Sequence, residues 1–289
     1  MIYKGKSYDW QYLDLCERIM DEGSRDSNPR PKYADGTPAH TISVFFDTFT
    51  FTPNDIPLLF SKKVFVRQAI EEMLWIWRDR SNVVQDLQDK KVHVWDEWQD
   101  ENGTIGKAYG YQLAQEVGHT GRNQVDNLIH NLKTIPESRR HIVHLWNVNE
   151  IDEMELTPCI WQTQWIVQND KLHLEVMARS NDMALGNPFN CIQYWVLHKL
   201  IAQEVGIEAG NIVFVMTIPH LYDRHQRTIA KQADRFYEID SVENVNDKEI
   251  TVEIDGVGFY DFTMDNIRIS GYDEFGGEPL KKYSFEVGI

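Results

Sequence analysis

In the stretch LTPCIWQTQWIV, residues 156–167, one thiol, Cys159, follows Pro158 and precedes a run in which Trp161, Thr163, Trp165 and Val167 alternate with Ile160, Gln162, Gln164 and Ile166. Such alternation is the pattern of a strand whose two faces meet different surroundings. Proline has no N–H to give to a ladder, so Pro158 marks the strand's beginning and leaves Cys159 at its mouth. A thiol placed there is either a nucleophile or packing, and the local pattern leaves both open.

Other groups could do chemistry. KVFVRQAIEEMLWIWRD has helical spacing and sets Glu71 and Glu72 beside a largely apolar face. A carboxylate drawn into such a face is costly unless it is paired or holds a proton, but either one could instead face water. Trp95 and Trp98, among acids and glycines, are core plugs or a stacking platform for a flat ligand. PHLYDRH groups His220, Tyr222 and His225, and the loop SRDSNPRPKYADGTPAH carries Arg30 and Lys32, which could close on an anion or simply be solvated.

The elements that must position these groups are mixed. YDWQYLDLCERIMDEG reads as an amphipathic helix stopped at Gly23, with Cys16 on its apolar stripe as packing. TISVFFDTFTF, HIVHLWNV and NIVFVMTI read as strands, and QVDNLIHNLKTI as a helix ending near Pro136. NPFNCIQYWVLHKLIAQEVG is a helix apolar nearly all round, which belongs at the centre of the molecule. At its start Cys191 reads as packing, and Asn190 as a cap or a ligand. Towards the C-terminus EITVEI and SFEVGI read as short strands. Helices and strands without regular βαβ alternation point to an α+β fold, taken as a single domain over 1–289.

The chain has 289 residues, 42% of them apolar, and a formal net charge of −16. Nonspecific binding to nucleic acid or an anionic membrane needs excess positive charge, so neither partner is expected. Any phosphate site must be built locally, and SRR at 138–140 and ARS at 178–180 are the conspicuous clusters. Cys16, Cys159 and Cys191 are odd in number and lack C-x-x-C spacing, which speaks against a disulfide framework or a structural metal. With neither a membrane-length apolar run nor a signal-peptide pattern, a soluble cytoplasmic protein is expected.

In order, SRR, PC, RSNDMALGNPFN and HLYDRH, together with WDEW and AYG, resemble the thymidylate synthase family over residues 16–289. DGTPAHT, HLEV and LTPC followed by TQW are similar to the form found in Bacillus and its phages. The resemblance implies a layered α+β fold whose large mixed sheet forms the interface of a homodimer, with helices on its other face. It implies transfer and reduction of a one-carbon unit from 5,10-methylenetetrahydrofolate to C5 of dUMP, without a metal. Cys159 then matches the nucleophile that adds to C6, and Arg179 a guanidinium that would raise its thiolate fraction. Glu72 matches the carboxylate that moves protons around O4 and C5, Tyr109 a tyrosine near the C5 proton, and Asn190 the amide that reads the pyrimidine edge.

By the same resemblance Arg30, Arg179 and Ser180 hold the phosphate, with Arg139 and Arg140 reaching in from the second subunit. His220 and Tyr222 match the pair on the deoxyribose 3′-hydroxyl. Trp95, Trp98, Asp182, Leu185, Gly186, Phe189 and the terminal Gly288 and Ile289 match the folate-contacting set, with Asp182 also beside the nucleotide. The tail is expected to close over the ligands and exclude water.

Two positions depart from the family's usual pattern. Ile160 stands where many members have histidine, which the Bacillus type also lacks. Thr217-Ile218-Pro219 replaces a Gly-Asp pair before the histidine of HLYDRH. Hydroxymethylases of phage type also depart at that acid, which leaves an alternative in which water captures the methylene intermediate and gives 5-hydroxymethyl-dUMP. A noncatalytic nucleotide or folate binder is the third reading.

Overall fold

A computed structural model describes residues 7–241 and 250–289 of the chain. Helix α1 (Ser7–Glu22) forms as its apolar stripe requires: Tyr12, Leu15, Cys16 and Ile19 are all buried in the core. A two-residue strand β1 (Ser24–Arg25) opens the loop that carries Arg30. The expected strand TISVFFDTFTF is two, β2 (Thr41–Ser43) and β3 (Phe46–Phe51), because the chain changes sheets between them and leaves Phe45 78% exposed at the corner. Helix α2 (Val66–Trp77) carries Glu72, and two single turns follow, α3 (Gln85–Gln88) and α4 (Gly110–Leu113).

Helix α5 (Gln124–Thr134) starts at an Asn123 cap, whose side chain accepts from the Asp126 N–H, and ends just before Pro136. Strand β4 (His141–His144) is shorter than the expected run to Val148. Next come β5 (Ile160–Gln168), β6 (Lys171–Ala178), β7 (Asn181–Asp182), the long helix α6 (Gly186–Val205), β8 (Glu208–Thr217), β9 (Pro219–Tyr222) and α7 (Gln226–Asp240). β10 (Thr251–Ile254) pairs with β11 (Ile267–Ser270), and β12 (Glu274–Phe275) with β13 (Glu278–Pro279).

The main sheet has the order β3-β8-β6-β5-β4. Neighbours are antiparallel except β6 and β8, which are parallel because α6 carries the chain from one to the other. Its inner face lines up Trp165, Leu174, Ile212 and Phe51 in register, with Val176, Phe214 and Phe49 beside them, all buried. Helix α6 lies against this face and α2 packs on α6, so the all-round apolar helix is central, as its sequence requires. Each fully buried side chain of this size contributes about 1.5–3 kcal/mol. The outer face presents Ile142, Ile166, Met177, Val213 and Val215, which remain partly open, Ile142 being 45% exposed.

Alternation in β5 is broken once. The register with β6 slips between Ile160 and Gln162, a bulge at Trp161 that puts Ile160 on the buried side together with Thr163 and Trp165. The second sheet, β1-β2-β9-β7, stands beside the first and carries Asp182, His220 and Tyr222. SFEVGI is not a strand: residues 284–289 lie in no ladder beyond the paired bonds of Ile289 to Lys32. Pairing at a single residue is too short to make a strand.

Candidate active site

A small cavity opens between α2, α6 and the start of β5, lined among others by Glu72, Trp95, Tyr109, Cys159, Asn190 and Gln193. Cys159 stands one residue ahead of β5, half-buried, where the proline and the strand register place it. Its backbone N–H donates to the Tyr109 hydroxyl at 3.0 Å, and its carbonyl accepts from the Arg179 N–H at 2.9 Å. The Arg179 side chain clamps the turn from below: Nε donates to Pro158 O at 2.9 Å, and Nη2 to Thr157 O at 2.9 Å and Thr157 Oγ1 at 2.7 Å. Its guanidinium also lies over the Trp146 ring, 5.4 Å from the centroid.

Burial pushes the Cys159 thiol above its ordinary value; Arg179 pulls it down, Asp182 pushes it up, and the Tyr109 hydrogen bond and Arg30 pull it down. The net shift is upward because desolvation outweighs both guanidiniums, while Arg179 itself acts in the expected direction and favours the thiolate. Cys16 and Cys191 are fully buried and pushed up to about 12, which fits packing.

Both acids of α2 are largely covered. Glu71 pairs with Lys90 at 3.2 Å and Arg67 at 3.7 Å on the far side, and only Glu72 enters the cavity. Glu72 accepts from the Trp95 indole N–H at 2.7 Å and from Gln193 Nε2 at 2.7 Å. Burial raises its carboxyl to about 7, although both hydrogen bonds favour the ionised form. Trp95 is buried, 6.0 Å from Trp75 and 5.2 Å from Tyr109 between ring centroids, so it is core and site at once. Trp98 meets its edge at 5.8 Å and stays half-buried.

Tyr109 holds a left-handed backbone, φ 45°, at the start of α4. The following Gly110 is required there, because a Cβ would lie 2.0 Å from Ser81 O. Strain of this kind persists where packing over-determines it, here holding the phenol above Cys159.

Asn190 is not a cap. Helix α6 begins at Gly186 with Leu185 before it, and Asn190 is in the second turn, facing the cavity. The Asp182 carboxylate leads into the helix by accepting from the Ala184 N–H at 2.8 Å and the Leu185 N–H at 3.4 Å. Leu185, Gly186 and Phe189 follow at the helix start, Leu185 exposed and Phe189 half-buried. His220 Nδ1 donates to Ile218 O at 3.1 Å, and the ring meets Tyr222 edge-on at 5.5 Å. Arg30 is exposed at the mouth, near enough to act on both Cys159 and Tyr222. Ser180 is half-buried between Arg179 and β7.

Arg139 and Arg140 are elsewhere. They are exposed in the turn before β4, in a surface pocket with Ile135, Glu137 and Ser138. At the C-terminus Gly288 packs on Tyr222 and Ala39, whose atoms would lie 2.9 Å from an added Cβ, and Ile289 bonds to Lys32. No group of three or more His, Cys, Asp or Glu suited to a metal occurs among the described residues. Gln193 was missed from sequence, although a glutamine on an otherwise apolar buried helix, three residues after Asn190, is itself a signal.

The family model described as thymidylate synthase matches residues 10–281. Thymidylate synthase 1 of Bacillus spizizenii is 46% identical over 288 residues, covering 98% of this chain and 99% of that one. The thymidylate synthase of Bacillus phage phi3T is 44% identical over the same shares. The solved structure of thermostable thymidylate synthase A from Bacillus subtilis superposes with a TM-score of 0.87 at 44% identity, covering 98% of this chain and 99% of that chain. The α+β architecture and the order of motifs around Cys159 therefore have one explanation: the chain belongs to the thymidylate synthase family.

Proposed function

We infer that this chain is a thymidylate synthase in which Cys159 adds to C6 of dUMP, with 5,10-methylenetetrahydrofolate as co-substrate. The observation that carries the reading is one cavity shared by a half-buried thiol, a carboxylic acid held near neutrality and the half-buried amide of Asn190. Full-length similarity to proteins named thymidylate synthase favours this product over the hydroxymethyl one.

The methylene donor supplies the carbon and the hydride. Cys159 gives its proton to solvent and the thiolate bonds to C6, which moves electron density to C5 and O4 and makes C5 a nucleophile towards that carbon. The Asn190 N–H faces O4, and Glu72, half protonated near pH 7, gives and takes protons around O4 and C5. The Tyr109 hydroxyl, fixed above the Cys159 N–H, positions water for the C5 proton. The Cys159–C6 bond breaks last and releases dTMP, with the folate leaving as dihydrofolate.

Arg30, Arg179 and Ser180 take the phosphate, and His220 with Tyr222 the 3′-hydroxyl. Asp182, Leu185, Gly186 and Phe189 meet the folate together with the two tryptophans and the tail. Arg179 is pre-ordered by Thr157 and Pro158, so it reaches the anion without first losing its rotamer freedom.

A homodimer formed on the outer sheet face is supported by Ile142, Ile166, Met177, Val213 and Val215, partly open apolar side chains interspersed there with polar ones such as Gln164 and Glu175. It would bring Arg139 and Arg140 of the second copy to the phosphate, since neither enters the cavity of its own subunit. One core runs through the described residues, which supports a single domain over 1–289. Three free cysteines support a reducing, cytoplasmic setting.

The test is a single incubation with dUMP and methylenetetrahydrofolate. Dihydrofolate and a product with the mass of dTMP are expected; 5-hydroxymethyl-dUMP without dihydrofolate would replace this reading.

A further inference from the structure

Gln193 is 4% exposed, and both protons of its Nε2 are committed, one to Ala69 O at 3.0 Å and one to Glu72 Oε2 at 2.7 Å. A backbone carbonyl can only accept, so the atom facing Ala69 must be the nitrogen. The atom of Gln193 left for Asn190 is therefore Oε1, which can only accept, and Asn190 Nδ2 faces it at 3.2 Å. The sense of the Asn190 amide is thus dictated from a fixed peptide group two side chains away. The other end agrees. Asn190 Oδ1 accepts from Asn181 Nδ2 at 3.4 Å, Asn181 Oδ1 from Asn187 Nδ2 at 2.7 Å, and Asn187 Oδ1 from the Tyr8 hydroxyl at 2.9 Å.

Asn190 keeps one N–H and one lone pair for the cavity. Uracil shows an acceptor, O4, beside a donor, N3–H; cytosine shows a donor, the N4 amine, beside an acceptor, N3. An amide of one sense pairs with uracil, and the same amide reversed pairs with cytosine. We propose that Gln193 is a positioning residue for base choice: by offering Asn190 an acceptor and no donor, it holds that amide in the sense that takes dUMP and refuses dCMP. The inference rests on the reading of the cavity as a dUMP site.

The test compares dissociation constants for dUMP and dCMP by calorimetry on the full chain, with Gln193→Met, Gln193→Glu and Gln193→Lys beside the wild type and a melting curve for each. Gln193→Met offers Asn190 neither donor nor acceptor, and the preference for dUMP over dCMP is expected to fall about tenfold or more. Gln193→Glu still shows an acceptor and should keep the preference while moving the pH dependence of turnover, because it sets a second carboxyl beside Glu72. Gln193→Lys shows only donors and should lower the preference at least as far as Gln193→Met. Its ammonium can pair with Glu72 and Ala69 O, so it carries the test if Gln193→Met does not fold. An unchanged preference in the methionine or lysine variant overturns the proposal, as does a preference lost in Gln193→Glu, which keeps both the size of the side chain and its acceptor. Wild type that binds neither nucleotide overturns instead the dUMP reading beneath it.

Discussion

Lys32 and Ile289 exchange both of their backbone hydrogen bonds, at 2.7 and 2.9 Å, so the C-terminal tail is joined to the loop that carries Arg30. Two further ties hold the same corner. Arg224 bridges Asp35 at 2.7 Å and Glu286 while lying over the Tyr33 ring, and His225 Nε2 meets Glu286 O at 2.7 Å. The tail expected to close on ligands is therefore already docked against the loop that carries Arg30.

Removal of residues 287–289 is accordingly expected to lower kcat by about 10²-fold, because water exclusion and the position of Arg30 are lost together. Arg224→Ala, which leaves the backbone pair in place, should cost less. Steady-state kinetics of both variants check this, and equal kcat in wild type and truncation would detach the tail from the chemistry.

Glu72 sets a pH dependence of stability with a definite sign. Between its ordinary value of 4.5 and about 7 the folded chain keeps a proton that the unfolded chain releases. Its contribution is complete below 4.5 and lost as pH rises through about 7. Glu72→Gln cannot titrate, so wild type should lose about 3 kcal/mol relative to the variant between pH 4 and pH 9. Any cost of the amide against Trp95 is a constant offset. Urea melts across that range read the slope, and the same variant should lower kcat by about 10²–10⁴-fold.

Ile218 sits at φ 53° and is 40% exposed, a β-branched residue in the left-handed region. That conformation costs a non-glycine residue about 1–2 kcal/mol, and glycine would give back part of the relief through unfolded-state entropy. Ile218→Gly is expected to raise monomer stability by about 0.5–1 kcal/mol by denaturant melts at low protein concentration. A loss that grows with protein concentration would instead show Ile218 packed against a second copy.

Mixing two inactive variants tests the shared site. Cys159→Ala lacks the nucleophile, and Arg139→Ala with Arg140→Ala lacks the guanidiniums assigned to the neighbouring copy. After subunit exchange, half of the dimers are hybrids with one intact site of two, so activity should return to about a quarter of wild type. No recovery, with exchange verified by mass, would place both arginines outside the site.

Much of this architecture was legible from sequence because it depends on local rules. Apolar spacing fixed α1 and α6, and Pro158 fixed where β5 begins and left Cys159 at its mouth. What the pattern missed depends on long-range geometry. The bulge at Trp161 shifts which side of β5 is buried, and no alternation rule encodes it. Glu71 and Glu72 are adjacent and chemically alike, and only the placement of Lys90 on one side and Trp95 with Gln193 on the other separates an ion-paired acid from a cavity acid. The direction of the Cys159 shift likewise depends on how much protein surrounds the sulfur, a quantity that arginines read from a motif do not report.

A covalent bond between Cys159 and the pyrimidine ring can be trapped with a dUMP analogue carrying fluorine at C5, which cannot leave as a proton does. Peptide mass spectrometry after incubation with the analogue and methylenetetrahydrofolate is expected to find the adduct on the peptide containing Cys159 and to find none in Cys159→Ala. An adduct on Cys16 or Cys191, or an unmodified Cys159 in an enzyme that still makes dTMP, would contradict the account.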